Sequence, residues 1–292
     1  RLLVAAAHAV FWSVVSVIAT RLVDATHGAL ALSMVATGSS VAQIFGLPLG
    51  RAIGLAVGWR MTFSVVGAIA AAIAVYLLFL LPRLAAGERF ELSELPRLLR
   101  NPVLLSLYMV TVCMATGYYV GYSYIEPFLQ QVAHFDPSMI TASLTVFGCA
   151  GLVGSVLFSR FYDGHRYGFV FCMLFGVAAS LALMRACSMN TVAVFALCAL
   201  WGLCATAFNV AFQAQVIAYA EPAQSAVAMS IFSGLFNLGI GCGTAAGGAV
   251  VARGAISSIG YVGAVIAFAG VAVCVLVMFR AMRRATGQKS LA

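Results

Sequence analysis

Charged residues punctuate this chain rather than pervade it. Nine stretches carry no Asp, Glu, Lys or Arg: 2–20, 25–50, 61–82, 101–125, 137–159, 167–184, 186–220, 222–252 and 254–279. A bilayer core about 30 Å thick takes roughly 20 apolar residues per spanning helix, and each stretch approaches or exceeds that length. Charge is costly in lipid, so charges collect in the gaps. The pattern predicts an all-α, multi-pass membrane protein of about nine transmembrane helices, with function lying between them.

Composition agrees, at 63% hydrophobic and 8% charged, far from the balance of a soluble domain. In a soluble protein the net charge of +8 would suggest nucleic acid; here it reports which side of the membrane each residue occupies. If the first run exits into the cytoplasm, Arg21, Arg83, Arg89, Arg97, Arg100, Arg160, Arg166, Arg280, Arg283, Arg284 and Lys289 all lie inside. Only Arg51, Arg60, Arg185 and Arg253 lie outside, and the excess of basic residues in cytoplasmic loops selects this topology. The eight cysteines fall within apolar runs without a CxxC pair, as small packing residues do. No GxxxxGK[ST] phosphate loop occurs and no connector is long enough to fold alone. Neither an enzyme nor a cofactor or metal site is therefore expected.

Residues 83–100 form the one long connector, with mixed charge. It divides the chain into 1–82 with three helices, the cytoplasmic connector 83–100, and 101–292 with six helices and a cytoplasmic tail. An internal echo relates the blocks. One offset pairs Gly38 with Gly234 and Val66-Gly67-Ala68 with Val262-Gly263-Ala264 (263 − 67 = 196). Runs one to three thus resemble runs seven to nine, and parallel six-helix repeats split into inverted halves are a transporter architecture. On this reading 1–82 is the remainder of an N-terminal six-helix bundle, and the chain is expected to be a fragment that does not transport alone. Glycines recur at i, i+4, i+8 in the second run (Gly46, Gly50, Gly54) and in the eighth (Gly239, Gly243, Gly247), and cluster in the fifth (Gly148, Gly151, Gly154). Such spacing allows close helix approach in lipid.

Several segments carry a family likeness: AHAVFWS (7–13), GLPLGRAIG (46–54), GWRMTF (58–63), YSYIEPF (122–128), GCAGLVGSV (148–156), MSIFSGLFNLGIGCG (229–243) and IGYVGA (259–264). By these the chain resembles the sugar efflux transporters of the SotB type, in the drug:proton antiporter branch of the major facilitator superfamily. The branch's glycine/proline motif looks matched by Gly38, Gly46, Pro48 and Gly50, and its fourth-helix arginine by Arg1, with Val4 and Ala5 where Gln and Gly often follow. Its cytoplasmic motif survives in part as Gly154, Arg160, Asp163, Gly164, His165 and Arg166. The resemblance implies a major facilitator fold, here a fragment equivalent to helices 4–12 of twelve. It further implies a central cavity and export of small sugars such as arabinose or thiogalactosides against proton influx. It places the protein in a bacterial cell inner membrane.

A solute path needs polar side chains turned inward. His8 and Trp12 recur on one face of the first run with Arg1 and Ser16; Tyr118, Tyr122 and Glu126 do so in the fourth. Asn209 and Gln213 pair at i, i+4 in the seventh, and Asn237 joins Ser230 and Ser233 in the eighth. Amides and hydroxyls with an aromatic face suit a sugar; interhelical hydrogen bonding recruits the same residue types. Glu126, His8 and Arg1 are the candidates for proton coupling, although Glu126 before Pro127 also reads as a hydrated carboxylate at a helix break. Export of amphipathic drugs by a more aromatic cavity is the rival function, and a non-transporting remnant is another. A monomer in the bilayer is expected.

Overall fold

A computed structural model describes residues 28–81, 98, 100–162, 164–221 and 224–289, together with scattered positions between 7 and 24. Ten α-helices are delimited in it: α1 (Gly28–Val57), α2 (Trp59–Leu80), α3 (Pro102–Tyr122), α4 (Ile125–Gln131), α5 (Pro137–Phe161), α6 (Arg166–Cys187), α7 (Thr191–Tyr219), α8 (Ser225–Ala252), α9 (Ile259–Val273) and α10 (Phe279–Lys289). A π-helical turn, Cys274–Met278, joins α9 to α10 in one continuous rod. Among the described residues, seven helices or helix pairs are long and apolar enough to cross a membrane. The expected all-α membrane architecture holds.

Local chemistry sets the helix starts. Asn101 accepts from the N–H groups of Val103 and Leu104 ahead of Pro102. Asp136 accepts from Met139 ahead of Pro137, and Asn190 from Ala193. Each satisfies donors that the first turn leaves open, and proline at the first helical position sacrifices no bond there.

Two boundaries differ from the charge-free runs. The second run stops at 50, yet α1 continues through Arg51 to Val57, because Arg51 finds an anion within the fold. The fourth run predicts one helix with Glu126 near its outer end. Instead the chain breaks at Ser123–Tyr124, and Glu126 sits in the first turn of the separate short helix α4. Glu126 therefore does not continue the face of Tyr118 and Tyr122.

From Pro102 onward the spans form a bundle with α3 at its centre, packed against α8 and α9, while α7 packs against α5 and α6. Leu107, Met114, Leu174, Leu181, Trp201, Phe208 and Phe212 are fully buried between them. Glycines decide how near the backbones come. A Cβ on Gly243 would strike the Thr116 carbonyl, and one on Gly154 the Leu203 carbonyl. Side-chain bonds tie the same seams: Tyr108 Oη donates to the Ala228 carbonyl at 2.9 Å and Tyr124 Oη to the Thr244 carbonyl at 3.0 Å.

The pair α1–α2 is joined by Gly58 alone, whose φ of +85° is a conformation that side chains rarely adopt. Gly254, which follows α8, has φ +70°. The two lie at the offset already noted (254 − 58 = 196), and the same shift carries α1 onto 224–253, where α8 occupies Ser225–Ala252. The echo is thus one of helix length and turn conformation as well as of residues. Alternating span directions bring Arg100, Arg160, Arg166, Arg280, Arg283 and Arg284 to one end, called here the basic end. Glu126, Asp136, Arg185 and Arg253 lie at the other.

Candidate functional site

The candidate residues divide by where the fold puts them. His8, Arg1 and Ser16 lie outside the described residues, as does Asp163 of the cytoplasmic motif. Trp12 is half-buried, its ring edge-on to Phe11 with centroids 5.6 Å apart.

Tyr118 and Tyr122 come together. One turn apart on α3, their rings stack at 5.0 Å. Trp201 of α7 meets both edge-on, at 5.7 Å from Tyr118 and 6.4 Å from Tyr122. Phe147 of α5 closes the group at 5.4 Å from Tyr122. Tyr119, on the adjoining face, contacts Phe236 of α8 edge-on at 6.2 Å. This aromatic cluster spans four helices. Edge-to-face and offset rings add a modest directional attraction to their burial, so the cluster locks the bundle as well as offering π faces.

The amides do not join it. Gln213 Nε2 donates to Asn209 Oδ1 at 2.6 Å, pairing the two within α7. Asn237 Nδ2 donates to the Ser233 carbonyl one turn back on α8. Each satisfies its neighbour, and all three remain half-buried.

Two residues that helical spacing passed over stand out. Among the described residues, Trp201 is fully buried with no hydrogen-bond partner for Nε1, and Gln215 is 1% exposed with neither amide atom partnered. A buried polar group left unsatisfied costs on the order of 1–3 kcal/mol, so such groups call for an explanation. The i, i+4 rule chose Asn209 and Gln213 and missed Gln215, which lies two residues beyond Gln213 on the opposite side of α7. The available signal was simpler: an amide and an indole inside a 35-residue run without charge.

Glu126 has a definite partner. Its carboxylate forms an ion pair with the Arg51 guanidinium of α1, the side chains being 48% and 10% exposed respectively. Arg51 Nε has no hydrogen-bond partner among the described residues. A cation so withdrawn from water depends on its one counter-charge. The pair joins the 28–80 helices to the six-helix bundle at the end opposite the basic one, beside the contact of α1 with α5.

Of the glycine series, that of α8 meets α3 and Gly151 and Gly154 meet α7. Beyond the local backbone of α1 itself, no described atom comes within 4 Å of where a Cβ would stand on Gly46 or Gly50. Cys198, Cys204 and Cys274 are buried and unbridged, filling space between helices.

Repeated helix hairpins, glycine seams and an ion pair between blocks are parts of a membrane transporter. A family model described as Major Facilitator Superfamily matches residues 1–184 and 127–292. The two matches together cover every position, and the chain belongs to the major facilitator superfamily of secondary transporters.

Proposed function

We propose that the protein is a proton-coupled exporter of small sugars, working by alternating access in a bacterial inner membrane with 83–100 and the C-terminus cytoplasmic. The observation that carries this reading is the set of buried polar groups on α7 beside the ring stack of α3. Trp201 Nε1 and both amide atoms of Gln215 lack hydrogen-bond partners among the described residues, and Tyr118 and Tyr122 present aromatic faces next to Trp201. A sugar needs hydrogen-bond partners for its hydroxyls and a flat apolar surface for its C–H face. The pair Asn209–Gln213 adds amides that a substrate hydroxyl can enter between.

Glu126 supports the coupling role. A proton arriving from outside would neutralise it, free Arg51 and loosen the contact between blocks; loss of the proton would restore the pair. The charged and titratable groups sharing that end are Arg60, His134, Asp136, Arg185 and Arg253.

One observation favours the rival substrate class. Tyr118, Tyr119, Tyr122, Trp201, Phe147 and Phe236 make the cluster richer in rings than in amides, as a site for hydrophobic cations would be. Export assays separate the two. Inverted vesicles carrying the protein should accumulate arabinose or a thiogalactoside under a proton gradient. Trp201→Phe, which keeps the ring and removes the N–H, and Gln215→Leu should abolish this while preserving thermal stability. Unchanged sugar fluxes with accumulation of a hydrophobic cation would move the assignment to drug export.

A further inference from the structure

At the basic end, the start of α3, the end of α7 and the final helix enclose a groove of about 790 Å³. Arg100, Asn101, Tyr219, Glu221, Arg280 and Arg284 line its polar part, and the exposed side chains of Leu276 and Val277 line the part toward the membrane. Three arginines thus face one carboxylate.

The arginines are arranged in a way the fold alone does not explain. Arg280 and Arg284 stand one helical turn apart, a like-charge spacing that is repulsive on an isolated helix. Arg100 approaches from the turn that precedes α3. None of the three has an ion-pair partner among the described residues, where Arg51–Glu126 is the one salt bridge. Arg283 is committed elsewhere, its guanidinium 5.6 Å from the centre of the Tyr167 ring. Leu276 and Val277 belong to the π-helical turn, and widened turns of this kind recur at functional sites.

We propose that this groove binds the phosphodiester headgroup of an anionic phospholipid from the adjoining leaflet. Guanidinium groups match phosphate oxygens with paired hydrogen bonds, and an anion between Arg280, Arg284 and Arg100 removes their mutual repulsion. The shared chemistry would also accept a soluble phosphate. The apolar wall at Leu276 and Val277 favours the lipid, because it gives an acyl chain a surface continuous with the bilayer. Basic pockets between spans at a membrane face are suited to such headgroups.

The test uses the full chain in detergent, with phosphatidylglycerol or phosphatidylcholine added in equal amounts and retained lipid read by native mass spectrometry. Phosphatidylglycerol should be retained preferentially, and its affinity should fall roughly fivefold for each arginine of the three changed to Gln. The single variant Arg280→Gln serves if the triple variant does not fold, and Arg160→Gln, at the same end but outside the groove, should change nothing. Equal retention of the two lipids, or full retention by Arg280→Gln, would overturn the site. Displacement of the lipid by excess inorganic phosphate would overturn the lipid assignment.

Discussion

The six-helix bundle from Pro102 onward and the helix pair Gly28–Leu80 are written in the same apolar alphabet, yet they pack in opposite ways. In α3, 13 of 21 residues are buried; in α2, of 22 residues, none is. Glycines mark the difference. Those of α8 and α5 press against carbonyls of neighbouring helices, whereas Gly46 and Gly50 meet nothing within 4 Å beyond the local backbone of α1 itself. The lesson concerns the solvent. Lipid tails are as apolar as leucine, so burying one apolar helix against another brings little hydrophobic gain. Apolar composition takes a helix into the membrane, and only complementary surfaces hold it to a neighbour.

The strongest way to break this contrast is to place the same bulk in both regions. Gly154→Leu forces a side chain into the Leu203 backbone and should cost about 3 kcal/mol or prevent folding. Gly46→Leu should stay within about 0.5 kcal/mol of the parent. Thermal unfolding in detergent, followed by circular dichroism, reads both; equal losses would mean that α1 is packed as tightly as the bundle.

A smaller effect tests the join between the regions. Glu126→Gln leaves the withdrawn Arg51 without its anion. The expected loss is about 1–2 kcal/mol, below that of a fully buried pair because Glu126 is half in water. Spin labels at the exposed positions Leu55 and Gln130 should report a broadened distance distribution, while the bundle's own unfolding is unaltered. Replacing both partners by Leu should recover the narrow distribution. If Glu126→Gln left the distances unchanged, the ion pair would not be what holds α1 in place.

The smallest effect lies at the start of α5. Bonds from the Met139 N–H and the Ser138 hydroxyl hold the Asp136 carboxyl below its ordinary range. A carboxyl depressed in the folded state adds stability above its unfolded value and loses it as pH falls through the folded one. Amide exchange in the first turn of α5 should therefore quicken only in acid. Asp136→Asn, which caps without titrating, should flatten that response; a retained acid response would locate the titration elsewhere.

Much was legible in the sequence because each feature is local. Of the nine charge-free runs, seven coincide with helices long and apolar enough to cross a membrane among the described residues, since a bilayer excludes charge wherever it occurs along a helix. The 196-residue offset relates the first three runs to the last three, and the described helices keep that offset down to the left-handed glycines Gly58 and Gly254. Tertiary structure decided what depends on partners distant in the chain. The extension of α1 through Arg51 required Glu126, 75 positions away (126 − 51 = 75). The equal glycine spacings of α1 and α8 were given opposite fates by whether a neighbouring helix came near. Trp201 and Gln215 became candidates only once their surroundings showed no partner among the described residues. Periodicity says which residues share a face, but lipid, protein and polar groups can each stand opposite that face, and only the packed chain selects among them.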